Sequence, residues 1–180
     1  MLHYPNLLLV GGSNRNVGKT TLILNLIKKY KAQFSIIGLK VSSIQPGEDQ
    51  FHGTHLNLES NFEVYEETNK DGQKDTSKML IAGAAKVYYI RAADELIPQA
   101  FNSLQSKIPP NAMIICESIS LRKHLTPGLF ILIQDLRTDT LKKSFLALKP
   151  IANQIITTDG NNFNFDFERI VIDHNKWLLR

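Results

Sequence analysis

A single cysteine, Cys116, occurs in the 180 residues of this sequence, so no internal disulfide bond can form. A chain of this length with one cysteine is typical of a reducing compartment. The sequence has no apolar run near the roughly 20 residues that a membrane-spanning helix needs. It also lacks the pattern of a secretory signal peptide, because its first apolar run is short and glycines follow it at once. We therefore expect a cytoplasmic protein without a membrane partner.

Blocks of like charge are also absent. The 21 basic and 17 acidic residues are scattered along the chain, and the formal net charge is +4. Nucleic-acid-binding surfaces usually show clustered basic residues, so we expect no nucleic-acid partner. A mildly basic chain suits a phosphorylated ligand. The hydrophobic fraction of 43% is enough for a core, and the length predicts one domain over residues 1–180.

Residues 42–74 differ from the rest of the chain, because they are polar, rich in turn residues and poor in aliphatic ones. A connection of this length is usually functional. We predict a long loop or hairpin insertion, in which residues 56–58 and 62–64 pair about a turn. His52 and His55 complete no known metal-ligand spacing, so we interpret them as surface or substrate-loop residues.

The most informative stretch is residues 11–21, which read Gly-Gly-Ser-Asn-Arg-Asn-Val-Gly-Lys-Thr-Thr. An apolar run precedes it and a segment with helical periodicity follows, as in the strand, glycine-rich turn and helix of a phosphate-binding loop. In such loops the backbone N–H groups and the lysine bind phosphates, and the hydroxyl after the lysine ligates Mg²⁺. We predict that a nucleotide binds here through Gly12, Asn14, Arg15, Asn16, Val17, Gly18, Lys19, Thr20 and Thr21, with Thr20 also ligating the metal.

The loop departs from the common spacing by one residue. Ser13 stands where the first glycine is usually found, and Gly12 lies one position further out. The alternative is an ordinary turn rich in glycine and asparagine, with a surface lysine. The phosphate-loop interpretation is favoured because Gly18, Lys19 and Thr20 fall where the strand pattern meets the helix pattern.

Segments with strand character alternate with segments of helical periodicity along the whole chain. This order predicts an α/β fold, a three-layer sandwich with a mainly parallel sheet. The predicted strands cover residues 6–11, 34–41, 86–91, 112–117, 129–133, 153–157 and 169–173. The predicted helices cover residues 20–31 and 75–82, and two more begin at residue 94 and at residue 138 or 139. Ligands of such folds bind outside the carboxyl ends of the strands.

Two charged side chains close predicted strands at these ends. Lys40 comes at the end of the strand over residues 34–41, and Glu117 ends the strand over residues 112–117. We predict that Lys40 acts with Lys19 in catalysis, and that Glu117 holds Mg²⁺ directly or through water. The alternative for each is a strand-end side chain that points to water.

The sequence gives a weaker signal for the binding site of the nucleotide base. Asn153 and Asp159 flank the last core strand, where a base could bind, although both residues are equally typical of turns. No Asn-Lys-x-Asp motif is present, so the sequence leaves the choice between ATP and GTP open.

The loop resembles that of a known group of enzymes. Residues 12–20 are similar to the extended loop of dethiobiotin synthetase and cobyrinic acid diamide synthetase, which place five residues between the glycines and end in Val-Gly-Lys-Thr. Gly38-Leu39-Lys40 resembles the Gly-Tyr-Lys of dethiobiotin synthetase, whose lysine contacts phosphate and substrate. Asp75 is similar in place to that enzyme's metal-binding aspartate, which implies that Asp75 is a third magnesium ligand.

The layout and length are closer to the GTP-binding B protein of molybdopterin-guanine dinucleotide biosynthesis. The matches are residues 74–76, residues 82–84 and the acid that ends the strand over residues 112–117, although Ser118 and Ile119 follow it where that family has glycine and an aromatic residue. This resemblance implies a P-loop NTPase that binds and hydrolyses a purine nucleotide with Mg²⁺. It also implies homodimerisation and a cofactor-biosynthesis enzyme as partner. The alternative is an ATP-dependent small-molecule kinase or synthetase, similar to dethiobiotin synthetase.

Overall fold

The computed structural model describes residues 1–44 and 62–180. The hairpin arm predicted over residues 56–58, and His52 and His55, lie outside the described residues. In the described part the strands are β1 (Leu2–Gly12), β2 (Ile36–Ile44), β3 (Phe62–Glu66), β4 (Lys86–Ala93), β5 (Met113–Glu117), β6 (Leu125–Asp135), β7 (Gln154–Thr158), β8 (Ile170–Asp173) and β9 (Lys176–Leu179). The α-helices there are α1 (Lys19–Tyr30), α2 (Asp75–Ala82), α3 (Ile97–Ser103) and α4 (Lys143–Leu148).

Seven strands form one sheet in the order β3-β4-β2-β5-β1-β6-β7. Every neighbouring pair is parallel except the edge strand β3, which runs antiparallel to β4. The predicted α/β class with a mainly parallel sheet is therefore confirmed. Because parallel strands end on the same side, the carboxyl ends of β1, β2, β5, β6 and β7 form one edge.

Side chains of the central strands alternate between the two faces of the sheet. In β1, Leu7 and Leu9 belong to one apolar cluster and Leu8 and Val10 to another, and each has 0% exposure. Such runs are typical of parallel strands buried on both sides. Residues of α3 and α4 complete the first cluster, and residues of α1, α2, β8 and β9 complete the second. This arrangement is compatible with a three-layer sandwich.

The strand predicted over residues 169–173 is confirmed as β8. It pairs with β9, a strand that was not predicted from the sequence, in an antiparallel hairpin separate from the main sheet. His174 and Asn175 turn the chain there with φ values of 45° and 56°. Trp177 on β9 is fully buried, lies edge-on to Tyr30 with ring centroids 5.5 Å apart, and donates its indole N–H to the Ile114 carbonyl at 3.1 Å. The hairpin thus closes the core beside α1.

Two predicted boundaries near β6 are wrong. The strand begins at Leu125 rather than at residue 129, because Pro127 and Gly128 lie within it at an irregularity in its pairing with β1. Gly128 is needed there, since a Cβ would lie 2.1 Å from the Pro5 carbonyl oxygen. The next α-helix begins at Lys143 rather than at residue 138 or 139, so residues 136–142 belong to a loop.

The helix predicted over residues 75–82 is confirmed, and Gly83 ends it in the left-handed conformation with φ 110°. Among the helices in the described ranges, none combines the length and the apolar character that crossing a membrane requires.

Replacing Trp177 with alanine should lower the free energy of unfolding by about 3–5 kcal/mol, because a fully buried ring and its hydrogen bond are lost. Leu178→Ala is the matched control, since Leu178 is 40% exposed and its loss should cost only about 0.5 kcal/mol. Urea unfolding measures both values. Equal losses would show that the hairpin does not anchor the core.

Candidate functional site

A cleft of about 1180 Å³ opens at the carboxyl edge of the sheet. The loop of residues 12–20 forms one side of it, and the ends of β2 and β5 and the start of α2 form the other. The residues predicted from sequence that line this cleft are Gly12, Arg15, Asn16, Val17, Gly18, Lys19, Thr20, Thr21, Lys40, Asp75 and Glu117. One cavity therefore unites side chains that are widely separated along the chain.

Two glycines let the loop fold back on itself. A Cβ on Gly12 would lie 2.6 Å from Val17 Cγ2, which is too close for any side chain. Gly18 adopts the left-handed conformation with φ 88°, and a Cβ there would lie 2.4 Å from the ring of Phe163. Asn16 is also left-handed, with φ 58°, which asparagine tolerates better than most residues. The loop conformation thus depends on these residue types.

Ser13 explains why the loop is one residue longer than usual. Its side chain has 0% exposure, its N–H donates to the Ile133 carbonyl at 2.9 Å, and its hydroxyl accepts from the Asp135 N–H at 3.0 Å. Ser13 therefore continues the attachment of β1 to β6 beyond Gly12. The chain leaves the sheet only at Asn14.

The N-terminus of α1 opens into the cleft. Its N-cap, Gly18, offers no side-chain cap, and its first turn contains no acidic residue. The first intrahelical hydrogen bond runs from the Leu22 N–H to the Gly18 carbonyl, so the N–H groups of residues 19–21 precede the helical ladder. N–H groups without an intrahelical partner and the positive end of the helix dipole together favour an anion.

The side chain of Lys19, the first residue of α1, folds back over the loop. Its Nζ donates to the Asn14 carbonyl at 3.1 Å and lies 3.9 Å from Glu117 Oε1, and the side chain is 18% exposed. Burial lowers the pKa of Lys19, and the Glu117 carboxylate opposes this effect. A bound anion would therefore meet a partly desolvated cation, which strengthens their attraction.

Two carboxylates converge on the hydroxyl of Thr20. Thr20 Oγ1 lies 3.1 Å from Asp75 Oδ1 and 3.3 Å from Glu117 Oε2, although its single proton is shared between the two acceptors. Two carboxylates that contact the same hydroxyl lie close to each other, so their negative charges repel. The arrangement therefore favours a cation beside Thr20.

Lys40 supplies part of the positive charge that these two carboxylates favour, because its Nζ donates a hydrogen bond to Asp75 Oδ2 in an ion pair. Burial alone would lower the pKa of Lys40, but the Glu117 and Asp75 carboxylates outweigh it and raise the pKa. Burial would likewise raise the pKa of Asp75, but the hydrogen bond from Lys40 and the other nearby donors lower it. Both groups are therefore held in their charged forms.

The donor set around Thr20 fits Mg²⁺. Within residues 1–44 and 62–180, no three His, Cys, Asp or Glu side chains group closely enough to form a metal site by themselves. Mg²⁺, however, usually takes one or two carboxylates and completes its shell with water and phosphate oxygens. Thr20, Asp75 and Glu117 supply oxygen donors only, beside a helix N-terminus that favours phosphate. They would hold the metal together with a phosphate ligand.

Three predicted residues are not brought into the cleft. Asn153 lies at the opposite end of β7, where its Oδ1 accepts from the Phe130 N–H at 2.7 Å and links β7 to β6, so it does not line the cleft. Asp159 follows β7 at the correct edge, but its carboxylate accepts from the N–H groups of Asn161 and Asn162 at 2.8 and 2.7 Å. Asn14 turns its side chain towards the loop after β6.

The structure also adds residues that the prediction missed. Lys142 and Ser144, after β6, and Phe163, after β7, line the cleft. Lys142 lowers the pKa of Lys19 by charge repulsion, so the two cations face the same space. Lys78, one turn beyond Asp75 in α2, lines it as well. The rule that ligands bind outside the carboxyl ends of strands points to these loops, but the misplaced start of α4 concealed Lys142.

Comparisons with known protein families, with curated proteins and with solved structures found no match to this chain. What the cleft binds therefore has to follow from its own chemistry. That chemistry is a set of N–H groups with a half-buried lysine on one side, and a hydroxyl between two carboxylates on the other.

Gly18→Ala should lower the free energy of unfolding by about 1–2 kcal/mol from the left-handed backbone alone, and further because of the contact with Phe163. In a Phe163→Ala background only the backbone part should remain, because the clashing ring is gone. A double-mutant cycle measured by urea unfolding separates the two parts. Unchanged stability of Gly18→Ala would contradict this loop conformation.

Proposed function

We propose that this chain is a P-loop NTPase that binds a purine nucleoside triphosphate, GTP or ATP, with Mg²⁺ in the cleft and hydrolyses it. The observation that carries the proposal is the position of Thr20. Its hydroxyl lies at the N-terminus of α1, beside Lys19, and within 3.1 and 3.3 Å of Asp75 and Glu117. A helix N-terminus and a lysine suit the phosphates, and the oxygen donors suit the metal.

The residues of the loop would bind the triphosphate by charge and geometry. The N–H groups that precede the helical ladder of α1 would donate to phosphate oxygens, and Lys19 would neutralise the outer phosphates. The bound metal would neutralise charge on the β- and γ-phosphates. Phosphoryl transfer needs such positioning and charge neutralisation more than covalent chemistry.

The more specific assignment depends on the sequence resemblance. The match in layout to the B protein of molybdopterin-guanine dinucleotide biosynthesis supports a role in molybdenum cofactor biosynthesis, with a cofactor-biosynthesis enzyme as partner and with homodimerisation. Asp75 and Glu117, two acids in that match, lie together at Thr20, which agrees with the metal role that the resemblance to dethiobiotin synthetase implies for Asp75.

Isothermal titration calorimetry with ATP and GTP, in magnesium buffer and in EDTA, tests nucleotide binding. Lys19→Ala should weaken binding at least tenfold in both buffers, because a partly buried charge partner of phosphate is lost. Thr20→Val should lose only the magnesium-dependent part of the affinity, while Thr20→Ser keeps the hydroxyl and should retain it. A folded wild-type protein that binds neither nucleotide in magnesium buffer would overturn the proposal.

A second candidate function is phosphoryl transfer from ATP to a small acceptor, and the position of Lys40 favours it. Lys40 lies in the middle of β2, lines the cleft and forms an ion pair with Asp75. A second lysine at this position could neutralise charge on the transferred group or on an acceptor.

Lys40→Ala should reduce turnover at least tenfold and leave nucleotide affinity within about threefold, because Lys40 would act on the group in transfer rather than on the bound nucleotide. Lys86→Ala is the control, since Lys86 opens β4 at the other edge of the sheet in an exposed pair with Glu66. Product analysis with labelled ATP separates the two functions. Label released only as inorganic phosphate indicates hydrolysis, and label retained on an added acceptor indicates a kinase; unchanged turnover of Lys40→Ala would exclude the catalytic role.

A further inference from the structure

A buried carboxylate outside the cleft holds the start of α2. Glu67 follows β3 and is only 7% exposed. Its Oε2 accepts from Thr76 Oγ1 at 2.7 Å and from Ser77 Oγ at 3.1 Å, and its Oε1 accepts from the Asn69 N–H at 2.9 Å. Buried carboxylates are stable only when they are paired or well hydrogen-bonded, and these three donors meet that need.

Glu67 is itself fixed to the sheet. Its N–H donates to the Val87 carbonyl on β4 at 2.9 Å. Gly72 brings the intervening loop so close that a Cβ there would lie 2.4 Å from Ser77 Oγ, one of the two hydroxyls that Glu67 holds. The carboxylate therefore connects the edge of the sheet to the first turn of α2.

The first turn of α2 needs this support because its own N-cap supplies none. Lys74 offers no side-chain cap, and Asp75, the first helical residue, directs its carboxylate to Thr20 and Lys40 instead of to the helix. Burial alone would raise the pKa of Glu67, but the hydrogen bonds from Thr76, Asn69 and Ser77 outweigh it and lower the pKa. A charged carboxylate near a helix N-terminus also interacts favourably with the helix dipole.

We propose that Glu67 is a positioning residue that sets the affinity of the site for Mg²⁺ by holding Asp75 against Thr20. The inference rests on the proposed function, since it assigns Asp75 to the metal. Thr76, whose hydroxyl donates to Glu67, is the next residue after Asp75. A displacement of the first turn of α2 would move the Asp75 carboxylate directly. Residues that orient metal ligands typically contribute 10- to 100-fold to metal affinity.

The test is the magnesium dependence of nucleotide binding, measured by calorimetry on the full chain with whichever of ATP or GTP the wild type binds more tightly. Glu67→Gln should raise the magnesium concentration that gives half of the magnesium-dependent gain in nucleotide affinity by about 10- to 100-fold. It should leave the nucleotide affinity in EDTA unchanged. Glu66→Gln is the matched control. Glu66 is the preceding residue, 42% exposed by side chain, and forms a surface ion pair with Lys86 at 3.7 Å.

The Asp75→Asn variant, used as a second background, distinguishes a positioning role of Glu67 from a merely structural one. In Asp75→Asn protein, Glu67→Gln should cause no additional loss of magnesium affinity, because the ligand through which it acts is already removed. An equal loss in both backgrounds, or an unchanged magnesium requirement in the wild-type background, would overturn the proposal.

If Glu67→Gln does not fold, Thr76→Val and Thr76→Ser provide the same test. The valine variant removes the donor at 2.7 Å and should raise the magnesium requirement, and the serine variant keeps a hydroxyl and should restore it. Equal magnesium requirements in the two variants would contradict the inference.

A wild-type protein that binds nucleotide without any magnesium effect would remove the metal role of Asp75 and this inference, yet would leave nucleotide binding intact. A wild type that binds no nucleotide would remove both proposals.

Discussion

The hydroxyl of Thr20 lies 3.1 Å from Asp75 and 3.3 Å from Glu117, and this contact joins three elements that are distant in sequence. α1 carries the hydroxyl, α2 carries one carboxylate and β5 ends in the other. Because two carboxylates repel each other, their approach needs compensation. Lys40 pairs with Asp75, and Lys19 lies 3.9 Å from Glu117, so each acid has a cation beside it. A metal bound to phosphate would complete the same balance.

The remainder of the fold holds these elements in place by ordinary packing. The central strands are buried on both faces, and this packing fixes the positions of the carboxyl ends of β2 and β5. α1 is held against the sheet by its apolar face and by the hairpin that carries Trp177. α2 is held by its apolar face and by Glu67, a polar contact that the cleft itself does not include. The site is thus as rigid as the contacts behind it.

Several parts of the site could be predicted because they follow from local patterns. Lys19 and Thr20 belong to a glycine-rich turn between a strand and a helix, and Lys40 and Glu117 end apolar runs at the edge where ligands bind. The sequence could not show that Asn153 lies away from the cleft, because a residue that flanks a strand can lie at either end of the sheet. Lys142 was missed because Thr138 and Asp139 resemble helix caps, whereas α4 begins only at Lys143.

By itself the sequence determined the alternation of strands and helices and the position of the glycine-rich loop between β1 and α1, since both depend on residue types within one short segment. Only the tertiary structure decided which strand ends become neighbours, because strand order depends on packing over the whole chain. It also decided that β8 and β9 leave the main sheet, and that Glu67 supports α2. Pairing of residues far apart in sequence has no local signal, and it is this pairing that brings two carboxylates to one hydroxyl.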